Sequence, residues 1–209
     1  MKESRYPLVA GEGIPVLLLA IAAAALCAYF VGWIAAVPLA LASAVLFLLF
    51  RDPHRQVPSH PLAAVSPVDG YVVEVTTSAE GINGAAAHRI ILRVDAFGAY
   101  TARSPVEGTI LDPKTRRRPA PEAAGEHAGL WIRTDEGDDV LLRFHGYRFR
   151  LAPRAFSRYG ERLGQGERCA YLRLTRYAEV WLPVNSRVQV AKGQRMRAGS
   201  DILGTLPHP

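Results

Sequence analysis

The chain has 209 residues, with 25 Lys and Arg against 19 Asp and Glu, for a formal net charge of +6. Its two cysteines, Cys27 and Cys169, are too few and too far apart for a disulfide framework or a cysteine metal cluster, and both are expected to be reduced. The basic excess is mostly arginine, and no recognition-helix pattern, zinc-finger spacing or aromatic RNA-binding signature accompanies it, so nucleic acid is excluded as the expected partner.

The first feature in chain order is an apolar stretch from Ile14 to Phe50 that contains no charged residue. One helix of that length would reach roughly 55 Å at 1.5 Å per residue, well beyond a hydrocarbon core of about 30 Å. The expectation is therefore a transmembrane hairpin within residues 1–50. Its helices are predicted over 14–31 and 34–50, with Gly32 and Trp33 at the turn. A shallow re-entrant hairpin is the alternative. Lys2 and Arg5 precede the stretch, and Arg51, His54 and Arg55 follow it. Positive charge at both flanks places both ends in the cytoplasm, on the inner face of the cell membrane. A cleaved signal peptide does not fit, because the run is too long and lacks a small-residue cleavage site. Leu26 before Cys27 also fails the small residue that a lipoprotein site needs.

Residues 51–64 form a linker punctuated by Pro53, Pro58 and Pro61. The remainder, 65–209, has no long segment of helical period. Short β-branched or alternating runs predict strands over 71–77, 88–94, 129–134, 140–144, 169–174 and 178–182. Residues 113–127 are expected to be a loop, with Pro113, Pro119, Pro121 and the consecutive Arg116, Arg117 and Arg118.

Two internal echoes stand out. Ser66-Pro67-Val68-Asp69-Gly70 recurs as Ser104-Pro105-Val106-Glu107-Gly108, and the turn segment 160–167 is echoed by 190–199. Repeated strand-turn-strand units imply a mainly-β domain, a β-sandwich or flattened barrel of barrel-sandwich type. A biotinyl or lipoyl carrier would present a lysine at a hairpin tip, and no such motif occurs.

Several motifs in order resemble the short, membrane-anchored form of phosphatidylserine decarboxylase. The apolar hairpin runs into Phe50-Arg51-Asp52-Pro53, followed by Ser66-Pro67-Val68-Asp69-Gly70, Arg103-Ser104-Pro105-Val106-Glu107-Gly108, Glu179-Val180-Trp181-Leu182-Pro183 and Gly193-Gln194. The likeness spans almost the whole chain. It implies a pyruvoyl enzyme, in which a Gly-Ser bond cleaves itself and the serine becomes an electrophile that draws electrons from the substrate amine's carbon. It also implies that Asp69 assists proton transfer, against the plain reading of a turn aspartate before Gly70.

Two positions depart from the family's pattern. Tyr100 stands where the family has histidine, and a phenol with an ordinary pKa near 10 is a poor base at neutral pH. His88, His127 and His145 read as surface or strand histidines. Where the family has Gly-Ser, this chain has Leu174-Thr175 if one extra residue is allowed, and Thr175-Arg176 if not. Thr175 is the one candidate nucleophile there. Gly199-Ser200 reads as a C-terminal turn.

The candidate catalytic residues are thus Asp69 and Thr175. Arg103, Arg116, Arg117 and Arg118 are the candidate lipid-binding residues, and no metal is expected. A cofactor is expected only as the family's pyruvoyl group, which these departures count against. The expected partner is a phospholipid membrane with anionic headgroups, and a second copy of the chain or another protein is a further candidate. Three functions follow: an anionic-phospholipid-binding relative of the decarboxylase without self-cleavage, an active decarboxylase with an altered site, and a membrane-anchored scaffold.

Overall fold

The computed structural model describes residues 9–11, 13–60, 62–79, 81, 84–111, 129–147 and 153–207; the side chain of Tyr147 falls outside that description. The expected loop 113–127, with Arg116, Arg117, Arg118 and His127, lies outside the described residues. The chain divides into two compact units, Met1–His54 and Arg55–Pro209.

The first unit holds helices α1 (Gly13–Phe30) and α2 (Trp33–Phe50), each of 18 residues. At 1.5 Å per residue each is about 27 Å long, close to the thickness of a bilayer's hydrocarbon core. Both are long and apolar enough to cross a membrane. Leu18, Leu19, Ile34 and Leu41 are all exposed, as on helices that are apolar all round. The intervening turn falls at the expected place: the N–H groups of Val31 and Gly32 donate to the Cys27 carbonyl at 2.9 and 3.1 Å. At the open end of the hairpin, the Ala10 N–H donates to the Phe50 carbonyl at 2.8 Å, and Val9 bridges Arg51. Gly13 lies so close to α2 that a Cβ there would stand 2.2 Å from the Phe50 ring. Pro38 lies inside α2 at the cost of one backbone bond.

In the second unit an eight-stranded sheet runs in the order β13 (Arg195–Met196), β2 (Gly70–Ser78), β3 (Ala87–Val94), β11 (Thr175–Pro183), β7 (Asp139–Tyr147), β6 (Gly129–Arg133), β5 (Gly108–Leu111) and β9 (Arg162–Leu163). Every pairing in it is antiparallel. One face packs the core, with Ile90, Leu92, Leu142, Phe144, Val180 and Leu182 buried. Residues of the opposite face, on these strands and on β6, form a smaller cluster of Ala87, Trp131, Leu141 and Trp181. That two-faced use follows from the period of two along a strand. The architecture is mainly β as expected, but the sheet is open and not closed into a barrel. Its edge strands β13 and β9, two residues long each, pair only with β2 and β5.

Two three-stranded sheets complete the described residues: β1 (Ala63–Val65), β14 (Ile202–Thr205) and β12 (Arg187–Val188), and β4 (Thr101–Arg103), β10 (Arg168–Tyr171) and β8 (Arg154–Ala155).

The sequence echoes are structural equivalents. The Val65 N–H donates to the Pro105 carbonyl at 2.8 Å and the Arg103 N–H to the Pro67 carbonyl at 2.9 Å, so the two Ser-Pro-Val segments bond to each other reciprocally. Ser66 Oγ donates to the Val68 carbonyl and Ser104 Oγ to the Val106 carbonyl. Met196 pairs with Gly70 as Leu163 pairs with Gly108. Gly166 and Gly199, in the echoed turns, both have φ of 70°. The domain is therefore built from two halves with matching local bonding.

Candidate functional site

The acid of the first echo is treated differently from that of the second. Asp69 is buried, whereas Glu107 is exposed and pairs with Arg162 at 2.9 Å. Asp69 Oδ2 accepts from Arg55 Nη2 at 2.5 Å and from the Ala99 N–H at 2.9 Å, and Oδ1 accepts from the Ala198 N–H at 2.8 Å. Its backbone carbonyl accepts from the Asp95 N–H at 2.8 Å. One residue thus fixes the linker arginine, the loop 95–100 and the turn at Ala198.

The loop 95–100 then fixes a second turn. The Leu172 N–H donates to the Tyr100 carbonyl at 2.8 Å. The predicted strand over 169–174 stops early, because β10 ends at Tyr171 and Arg173 takes a φ of 48°. Arg173 is the only non-glycine residue with positive φ among those described, in a region that favours glycine. Thr175 closes this turn: its N–H donates to the Leu172 carbonyl at 3.1 Å and its hydroxyl to the same oxygen at 2.5 Å.

Between loop and turn lies a cavity of about 460 Å³, in the size range of small-molecule sites. Its lining includes Tyr71, Arg93, Phe97, Tyr100, Thr175 and Arg176. The guanidinium groups of Arg93 and Arg195 both lie 5.9 Å from the Tyr71 ring centroid, within cation–π range. Asp95, also in the lining, accepts from Arg195 Nη2 at 3.3 Å and from the Phe97 N–H at 3.1 Å. Phe97 is 83% exposed.

The fold brings Tyr100 and Thr175 into one cavity and places Asp69 behind its wall. The Tyr100 hydroxyl donates to the Ala96 carbonyl at 3.2 Å. His145 stacks on Tyr177 and lies 3.7 Å from Glu179, whose carboxylate also meets Arg89. His88 bonds Thr77 at 3.0 Å. A pyruvoyl group must arise from the chain itself, from a hydroxyl beside a pliant residue. Thr175 is buried, bonded three residues back, and preceded by Leu174. This turn does not fit that precursor.

Arg103 is buried rather than presented to solvent: its Nη1 donates to the Gly166 carbonyl at 3.0 Å, and its Cδ would be 2.6 Å from a Cβ on Gly199. Arg116, Arg117 and Arg118 lie outside the described residues. Sequence reasoning missed Tyr71, Arg93, Asp95 and Phe97 as site residues. The one available signal was a large aromatic, Phe97, next to a turn glycine and two residues after Asp95. Burial pushes the Cys169 thiol up to about 12, so it is no nucleophile at neutral pH.

No family model matches the chain. A phosphatidylserine decarboxylase proenzyme from Nitrosomonas eutropha is 31% identical over 208 residues, 95% of each chain. One from Symbiobacterium thermophilum is 33% identical over 221 residues, covering 99% of this chain and 100% of that one. One from Burkholderia vietnamiensis is 31% identical, covering 96% of this chain and 97% of that one. Among solved structures, glucose permease IIA from Mycoplasma capricolum aligns with a TM-score of 0.45 at 13% identity, over 68% of this chain and 94% of that one. With such identity sustained along its full length, the chain belongs to the phosphatidylserine decarboxylase family.

Proposed function

We propose that this protein serves phospholipid metabolism as a membrane-attached member of the family that stays uncleaved, carries no pyruvoyl group and binds anionic phospholipid. The observation that carries the reading is the bonding of Thr175. Its hydroxyl is committed to the Leu172 carbonyl, and Leu174 precedes it. Self-cleavage needs a nucleophile aimed at the preceding carbonyl, a residue that tolerates the strain, and a base. Tyr100, whose hydroxyl donates to Ala96, is the residue in the family's histidine place. Losing one of these can be compensated; losing all three leaves no route.

Lipid binding rests on charge. Arg116, Arg117 and Arg118 would add roughly 1 kcal/mol each near an anionic surface. The two apolar helices, with positive flanks, hold both ends at the cytoplasmic side of the inner membrane.

The test is the intact mass of the purified protein. One polypeptide at 22.8 kDa, inert towards phosphatidylserine, is expected. Two fragments divided near Leu174–Thr175, with an oxoacyl group opening the smaller, would make the protein an active decarboxylase.

A further inference from the structure

The cavity between loop 95–100 and the turn at Thr175 carries a charge pattern that narrows its ligand. The geometry points to a phospholipid with a net negative, amine-free headgroup, held by Arg93 and Arg176 as the residues that set headgroup specificity. This deepens the proposed lipid binding and rests on it, but it moves the recognition from the arginine triplet to the cavity.

Arg93 and Arg176 both line the cavity and both are exposed. Among the described residues no carboxylate pairs with either guanidinium; Arg93 has only the face of Tyr71. Two cations at the mouth of one cavity repel each other, and an anion placed there relieves that repulsion. A guanidinium also matches the paired oxygens of a phosphodiester.

The same lining disfavours an ammonium group. Asp95 is its one acidic residue, and its carboxylate is already taken by Arg195 and by the Phe97 N–H. The Tyr71 ring, which could otherwise receive a cation, is met by Arg93 and Arg195. An amine-bearing headgroup would enter a cationic cavity with no acid left to meet it. The apolar part of the ligand is set by Phe97 and Leu174, which also line the cavity. An acyl-bearing molecule gains from both ends of this lining, whereas a free anion gains from one.

The experiment uses the full chain in a neutral detergent, with native mass spectrometry reading the lipids retained. An equimolar mixture of phosphatidylglycerol, phosphatidylserine, phosphatidylethanolamine and phosphatidylcholine is offered. Phosphatidylglycerol should be retained over the two zwitterionic lipids by roughly tenfold, and over phosphatidylserine by about threefold. The Arg93→Gln, Arg176→Gln double variant should lose that preference, and the corresponding double lysine variant should restore part of it. Replacing Arg116, Arg117 and Arg118 by Gln should leave it intact.

Preference that survives the double glutamine variant but disappears with the triplet would overturn the cavity assignment while leaving the proposed lipid binding in place. No preference for anionic lipid in the wild type would remove both. Phosphatidylserine retained more strongly than phosphatidylglycerol, or displacement of bound lipid by excess inorganic phosphate, would overturn the amine-free phospholipid as the ligand.

Discussion

Asp69 ties three separate segments of the chain together. Both carboxylate oxygens are spent on Arg55 and on the N–H groups of Ala99 and Ala198. A carboxylate so committed organises the cavity wall. Asp69→Asn removes the charge that answers Arg55 and turns one acceptor into a donor facing donors. Breaking a largely buried pair by altering one partner costs about 3 kcal/mol. Denaturant unfolding should show that loss, while the purified chain stays a single uncleaved polypeptide. A neutral effect on stability would mean that the network carries no weight. Cys169 gives a residue-scale prediction in pH. The folded thiol is raised by burial to about 12, against an ordinary value near 9. The unfolded chain therefore releases this proton first, and stability is full below pH 9 and falls as pH rises towards 12. The slope from this group is about 1.4 kcal/mol per pH unit. Cys169→Ala should flatten that part of a stability–pH profile.

At the scale of elements, Gly70 and Gly108 test whether the two halves are held alike. A Cβ on Gly70 would lie 2.1 Å from the Arg93 carbonyl oxygen, and one on Gly108 would lie 2.2 Å from that of Arg133. Each contact is with backbone, so β2 must part from β3, or β5 from β6. Gly70→Ala and Gly108→Ala should each cost about 2–3 kcal/mol. Only Gly70→Ala should also weaken lipid retention, because it displaces the strand that carries Arg93. Equal effects on retention would detach the cavity from β3. The elements also divide by how legible they were. The hairpin could be read because 37 uncharged positions from Ile14 to Phe50 admit little else. The strands over 71–77, 88–94 and 178–182 could be read because β-branched and apolar residues recur in short bounded runs. Strands such as β9 and β13 are two residues long and have no period to read. The burial of Arg103 against Gly199 was not legible, because arginine ordinarily marks a surface and this contact is a tertiary fact. The cavity was illegible for the same reason: β2, loop 95–100 and the turn at Thr175 meet only once the sheet forms.

For the whole molecule, the proposed attachment to a membrane would rest on two physically separate contributions. Helices α1 and α2 supply 18 residues each with no charged side chain. A fully buried Leu, Ile or Phe contributes roughly 1.5–3 kcal/mol, so the hairpin outweighs surface electrostatics many times over. That contribution is insensitive to salt. The arginines of the second unit would contribute about 1 kcal/mol each near an anionic surface, and salt would screen them within a Debye length of about 8 Å at physiological ionic strength. The two contributions are therefore separable in one fractionation. The full chain should stay with membranes through high salt and alkaline carbonate, and detergent should release it. A chain of the second unit alone, residues 55–209, should bind anionic vesicles at low salt and leave them at high salt. Release of the full chain by salt would mean that α1 and α2 do not enter the hydrocarbon, and attachment would then fall to the arginines alone.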